Sequence, residues 1–159
     1  MTRACVIDFA TNKVIYDELV ESPSPIIDYL TRFVYKSYVS VLLNRKRSFS
    51  SITATALEPI ATTLVDVQAH LGTIITPSTI LLGHSPESDL RALQLSHPHC
   101  IDTALIFNHP CGRPLMPGLA WLTRKWLGRA IQDLRPGGHD PEKDARACIN
   151  LLEAKTPPC

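Results

Sequence analysis

The sequence predicts an α/β domain, and three features carry that prediction. Residues 4–20 hold two β-prone runs separated by a short polar turn. Thr79-Ile80-Leu81-Leu82-Gly83-His84 is a short, continuously apolar run, the pattern of a strand buried on both faces in a parallel sheet. Helical periodicity with capping residues follows that run and recurs to the C-terminus.

Bulk properties narrow the function. A hydrophobic content of 45% and a charged content of 19% over 159 residues suit one globular domain with a core and argue against disorder. The net charge of +1 supplies no broad field toward nucleic acid, so any such contact must be local. No apolar run is long enough to span a membrane, and no signal-peptide pattern is present. The five cysteines (Cys5, Cys100, Cys111, Cys148, Cys159) include no C-x-x-C pair, which predicts reduced thiols in an intracellular compartment.

In chain order, Ala4–Phe9 is a strand, Ala10-Thr11-Asn12 a turn, and Lys13–Val20 the returning strand, closed by Ser22-Pro23-Ser24-Pro25. Val34–Leu43 is again β-prone, and Asn44–Ser51 is basic and serine-rich. Arg45-Lys46-Arg47 reads as a solvated loop in preference to a phosphate patch or a nuclear address, because the run is so short. Thr62/Thr63 cap a helix carrying Leu64, Val67 and Leu71, stopped by Gly72. After the apolar strand, Ser85 caps and Pro86 opens a helix from Glu87 to Leu95. Asp89 lies in its first turns with Ala92 and Leu93 at i+3 and i+4, so it leans inward just beyond the end of a buried strand. That edge is where α/β sheets place their sites. A helix N-terminal acid favoured by the macrodipole is the plainer account of Asp89.

Cys100–Phe107 is a further strand, Asn108–Gly118 a Pro/Gly-rich loop, and Leu119–Leu127 a helix with Leu119, Leu122 and Trp126 inward and Gly128 at its end. Trp121 and Trp126 can stack on bases, though aromatics at this spacing more often serve a core. His84, His97 and His99 show no ligand-like spacing and read as structural or surface residues.

The stretch from Gly137 to Ala145 is the most informative. A double glycine leads to His139; Asp140 caps and Pro141 starts a helix. Asp144 then shares a face with Cys148, Leu151 and Leu152. A carboxylate on an inward stripe is costly to desolvate without a partner, and a hard cation is a good one. The plainer alternative is a capped C-terminal helix with one acid at its rim.

Two inward acids on helix starts, with a histidine beside one, form a recognisable order. Gly83-His84-Ser85-Pro86-Glu87-Ser88-Asp89-Leu90-Arg91-Ala92-Leu93 resembles the second exonuclease motif of the DEDDh (DnaQ-like) 3′–5′ exonucleases, and His139 with Asp144 matches the third, His-x(4)-Asp. Within that superfamily the chain is most similar to the eukaryotic RNA exonucleases. Lys13–Val20, Pro25–Tyr29, Thr31-Arg32-Phe33, Ile101-Asp102-Thr103 and Trp121–Gly128 support this, so the resemblance covers nearly all of the chain outside 34–51.

The resemblance implies an exonuclease domain over 1–155 with a ribonuclease H-like fold: an α/β structure with a mixed five-stranded sheet flanked by helices. It implies four acids holding two Mg²⁺ or Mn²⁺ ions at the terminal phosphodiester of RNA with a free 3′ end, in a nuclear setting and away from membranes. Asp89 and Asp144 would be two of those metal ligands, and His139 the general base acting on the attacking water. The product would be a nucleoside 5′-monophosphate.

The chain departs from the family in two places. The family's first motif, Asp-x-Glu, lies on a central strand before the hairpin, and this sequence starts at the hairpin. Asp8 is no substitute, since its strand matches the family's second. A segment at 34–51 also interrupts a family junction, as translated intron would. Its expected place is peripheral; alternatively, Val34–Leu43 pairs with an exposed sheet edge and partly fills the gap. The sequence therefore predicts an RNA 3′–5′ exonuclease domain of impaired activity. The alternative is a non-catalytic remnant of the same fold that binds nucleic acid or a partner.

Overall fold

The computed structural model describes residues 2–20, 38–39, 41–44, 62–131 and 140–156. Strand β1 (Thr2–Ile7) pairs antiparallel with β2 (Val14–Val20), from Thr2 opposite Val20 to Ile7 opposite Val14. Asp8 builds the turn: its carboxylate accepts from the Thr11 amide at 2.7 Å and the Thr11 hydroxyl at 2.5 Å. Asn12 adopts a φ of 54°, a left-handed conformation that Asn tolerates.

The next strands come from the segment expected at the periphery. Strand β4 (Val41–Asn44) pairs antiparallel with β1, from Arg3 opposite Asn44 to Val6 opposite Val41. Strand β3 (Tyr38–Val39) pairs antiparallel with β5 (Leu81–His84), Tyr38 opposite His84 and Val39 opposite Gly83. These residues are therefore built into the sheets, as the edge-pairing alternative has it. Each would otherwise leave a row of backbone donors and acceptors of β1 or β5 unpaired. Residues 21–37 and 45–61, including Arg45-Lys46-Arg47, lie outside the described residues.

Helix α1 (Leu64–Ile74) opens on a capping box. The Thr63 hydroxyl accepts from the Asp66 amide at 3.3 Å, and the Asp66 carboxylate accepts from the Thr63 amide at 2.8 Å. The helix runs through Gly72, which was expected to stop it. A glycine inside a helix costs only about 1 kcal/mol, less than the packing of the buried Val67 and Leu71 supplies.

All four residues of β5 are buried, as the apolar run predicted. Strand β6 (Cys100–Asp102) pairs parallel to it, Leu81 opposite Cys100 and Gly83 opposite Asp102. The strand expected to reach Phe107 stops at Asp102. The Asp102 carboxylate accepts from the Ala104 amide at 2.8 Å and turns the chain into the short helix α3 (Thr103–Ile106). Between β5 and β6 lies α2 (Pro86–Ala92). Helix α4 (Leu119–Leu127) ends at Gly128, whose φ of 62° is the left-handed turn that favours glycine. Trp126 was expected inward but is 44% exposed; Leu119, Leu122 and Thr123 are the buried residues of that helix. Helix α5 (Pro141–Lys155) begins as the sequence predicts, with the Asp140 carboxylate accepting from the Glu142 amide at 3.2 Å.

The strands form two three-stranded sheets, β2-β1-β4 and β3-β5-β6, in place of one five-stranded sheet. Two apolar clusters lie on opposite faces. On one, Ala4, Val6 and Leu81 meet Val67 and Leu71 of α1 and Leu90 of α2. On the other, Cys5, Ile7 and Leu82 meet Leu119 and Leu122 of α4 and Cys148, Ile149 and Leu151 of α5. Alternate residues of β1 enter alternate clusters, as a strand covered on both faces requires. Polar ties fix the start of α5 to the hairpin. Arg3 pairs with Asp17 and reaches Asp140 at 3.4 Å, and Arg146 donates to the Asn12 side chain at 2.6 Å.

Candidate active site

The two acids singled out by sequence come from the two helical layers. Asp89 stands on α2, which follows β5 directly, and is fully buried. Asp144 stands in the first turn of α5 and is 1% exposed. Burial decides against the rim alternative for Asp144, while Asp89 does lie in the first turn of α2, as the macrodipole account has it. The faces differ in detail from expectation: Asp89 shares its inner side with Pro86 and Leu93, while Ala92 is exposed. Asp144 lies one turn before the buried Cys148, with Leu151 following.

Ser85 occupies the N-cap position of α2 but makes no side-chain cap. Its backbone is left-handed, with φ 59° and ψ 52°. The Asp102 carboxylate holds it, accepting from the Ser85 amide at 2.8 Å while also capping α3. One acid at the end of β6 thus fixes the chain at the end of β5, and so sets where Asp89 projects.

Around these residues the interior is polar. The Thr103 hydroxyl lies 2.9 Å from both His84 Nδ1 and the Gly83 carbonyl, and its single hydrogen serves one of them at a time. Burial pushes the His84 imidazole below its usual range, against the pull of Asp102, Asp144 and a hydrogen bond to the Pro117 backbone. The neutral ring is the form this packing favours. Burial drives the Cys148 thiol well above the ordinary thiol range; Thr103 opposes that shift, and Asp144, Asp102 and Asp89 add to it. The Cys148 Sγ lies 4.0 Å from the Thr103 hydroxyl, which bonds the Gly83 carbonyl, so Cys148 sits beside the end of β5. Burial likewise pushes the Cys5 thiol up to about 12. Neither buried thiol is a nucleophile near neutral pH.

The expected general base, His139, lies outside the described residues. Asp102 and Thr103 belong to the site's surroundings but were not assigned a role from sequence. An acid closing the second parallel strand, followed by a small hydroxyl residue, is the signal that marks them. His84 is buried, and His97 is a loop tie whose Nε2 lies 2.6 Å from the Thr79 carbonyl.

Asp89 and Asp144 match a hard divalent cation in kind, being buried carboxylates. They fall short in number. Among the described residues no group of three or more His, Cys, Asp or Glu is arranged to hold an ion. Nor is any helix among them long and apolar enough to cross a membrane. Tyr38–Val39 and Val41–Asn44, paired to β5 and β1 where the resemblance places the family's acid-bearing strand, contain no Asp or Glu.

No protein-family model matches the chain. Individual relatives do. The chain is 42% identical over 155 residues to an uncharacterized exonuclease of Schizosaccharomyces pombe, covering 98% of this chain and 22% of that protein. It is 40% identical over 155 residues to RNA exonuclease 1 of Saccharomyces cerevisiae, covering 98% and 25%. It is 39% identical over 137 residues to human RNA exonuclease 5, covering 86% and 15%. This chain thus spans a quarter or less of the length of these relatives. Among solved structures, the protease and nuclease unit of Neurospora crassa Pan2 superposes with a TM-score of 0.68 at 25% identity, covering 96% of this chain and 23% of that one. Over nearly its whole length the chain is a homologue of the RNA exonucleases, with the ribonuclease H-like fold of the DEDD-type nucleases.

Proposed function

We propose that this chain is the exonuclease domain of an RNA-processing enzyme that removes nucleotides from a free 3′ end, and that it is impaired as it stands. The observation that carries the reading is that Asp89 and Asp144 are both buried, on two helices that each pack against β5. Their place in the chain matches the second and third family motifs.

In this reading Asp89 and Asp144 would hold Mg²⁺ or Mn²⁺ together with first-motif acids, and the ions would supply charge stabilisation for the attacking and leaving oxygens. His139 takes the proton of the attacking water, because imidazole titrates near neutral pH. Asp102 acts at one remove, holding the Ser85 turn and with it the start of α2. The apolar clusters beneath the acids keep bulk water from competing for their oxygens.

Impairment is the expected result of the donor count among the described residues, where two carboxylates are too few to hold two ions that each seek about six oxygens. With Mg²⁺ or Mn²⁺ and a labelled single-stranded RNA, the 159-residue chain should release almost no mononucleotide. Replacing Tyr38–Asn44 by a strand bearing Asp-x-Glu should raise release many-fold. In that background Asp144→Asn and Asp89→Asn should nearly abolish it. His139→Ala should lower kcat by roughly 10²–10⁴-fold with metal affinity nearly unchanged. Full activity in Asp144→Asn would sink the assignment. The acid-free strands at 38–44 favour a second reading, a binding remnant of the fold. RNA binding without hydrolysis in every acid-restored variant would establish it.

A further inference from the structure

The stretch 103–131 contains Arg113, Arg124, Lys125 and Arg129 and not one Asp or Glu, although the chain holds 15 acids against 16 Lys and Arg. None of those four cations pairs with a carboxylate among the described residues. The near-neutral whole therefore conceals one positive face.

That face also carries aromatic surface. Trp121, Arg124 and Lys125 stand at i, i+3 and i+4 on α4, on the side away from the buried Leu119, Leu122 and Thr123, so they form one exposed strip. Trp121 is 37% exposed, and the Lys125 Nζ lies 4.6 Å from its ring centre. Across from it stands His109, its ring centre 6.2 Å from that of Trp121 and the planes 30° apart. The His109 ring is set by its own loop, with Nδ1 accepting from the Cys111 amide at 3.1 Å. A planar group held between two rings needs two van der Waals spacings, about 7–8 Å. A small outward shift of His109 opens such a slot. Beside it is a concavity of about 450 Å³ lined by Phe107, His109, Arg113, Leu115 and Met116, with Leu115 and Met116 more than half exposed. The far end of this loop, Pro117, touches His84 at the acid site.

An exposed tryptophan beside Arg124 and Lys125, neither of which pairs with a carboxylate among the described residues, has the chemistry of a single-stranded nucleic-acid surface: a π-face for a base, positive charge for the phosphates. Duplex fits poorly, since its bases are already stacked. We propose that the α4 face and the 108–118 loop hold single-stranded RNA. One nucleobase stacks on Trp121, and backbone phosphates lie on Arg113, Arg124 and Lys125. The proposal rests on the RNA exonuclease reading and adds to it the surface that holds the strand leading to the acid site.

The test is anisotropy of a fluorescein-labelled oligoadenylate, about 12 nucleotides long, binding to the 159-residue chain in EDTA, where no divalent ion supports hydrolysis. Trp121→Ala should weaken binding by roughly tenfold or more, while Trp121→Phe should keep most of the affinity. The double variant Arg124→Ala/Lys125→Ala should lower the slope of log affinity against log salt by about 1–1.5. Duplex RNA should bind more weakly than the single strand. Polyphosphate should compete, and its own binding should not respond to Trp121→Ala. Unchanged oligoadenylate affinity in Trp121→Ala, with far-UV circular dichroism matching the parent, overturns the proposal. So does equal affinity for duplex and single strand. Because binding is read without divalent ions, this failure is distinct from a failure of hydrolysis at Asp89 and Asp144.

Discussion

The two helical layers bury their residues differently. Helix α1 buries one stripe, Val67 and Leu71, and leaves its other faces to solvent. Helix α5 is buried nearly all round, through Pro141, Asp144, Ala145, Ala147, Cys148, Ile149 and Leu151. It packs against strands of both sheets and against α4. Small residues at 145, 147 and 148 let it approach the strands closely. The contrast shows why the two acids are held unequally. Asp144 is set by a long, fully packed helix. Asp89 rides on a seven-residue helix whose N-cap makes no side-chain bond and which depends on Asp102 for its start.

The largest expected effects compare the cores. Leu151→Ala and Leu71→Ala should each cost about 2–5 kcal/mol in urea unfolding. Their reach should differ. Leu151→Ala should speed amide exchange across α5, α4 and both sheets, since α5 joins them. Leu71→Ala should loosen α1 first. Equal, global exchange in both variants would break the contrast between the layers.

Next comes the hold on α2. Asp102→Ala removes the acceptor for the Ser85 and Ala104 amides and should cost about 1–3 kcal/mol. Amide exchange at residues 85–90 should rise more than at 141–146. A protection pattern that changes equally in the two helices would mean that Asp102 does not support Asp89 selectively.

The pH dependence sharpens the same point, because His84 of β5 and Cys148 of α5 are both buried beside Thr103. The folded His84 imidazole titrates below its ordinary value of 6.5, so the unfolded chain takes up its proton first. Stability from this group is complete above about pH 6.5 and declines as pH falls below it. The Cys5 and Cys148 thiols titrate above their ordinary 9.0 when folded, so their contribution is complete below about pH 9 and declines as pH rises beyond it. Denaturation midpoints should therefore form a plateau between these limits. His84→Gln should flatten the acid-side slope.

The smallest effects separate the two caps. Thr63→Ala breaks a capping box and should cost about 0.5–2 kcal/mol. Ser85→Ala removes no cap bond and should stay within about 0.5 kcal/mol. A larger loss from Ser85→Ala than from Thr63→Ala would restore the side-chain cap that the sequence suggested at Ser85.

Local rules made much of this protein readable from sequence. The hairpin, the Thr63 and Asp140 caps, the doubly buried strand at 81–84 and the inward set of Asp144 follow from period, capping chemistry and desolvation cost, all of which act within a few residues. Tertiary structure decided the rest. Asp102 ended a strand that β propensity would have carried to Phe107, because its carboxylate had two amides to bind, one of them seventeen residues earlier in the chain. Trp126 sits at the core's edge, its ring against the buried Phe107 and under the Lys155 ammonium, both distant in sequence. Tyr38–Val39 and Val41–Asn44 lie in a run that is β-prone by composition, but which edges of β1 and β5 they pair with is a demand that no periodicity within the segment records. Each acid taken alone had a plainer account at a helix start, and it is the packing of α2 and α5 against β5 that buries both.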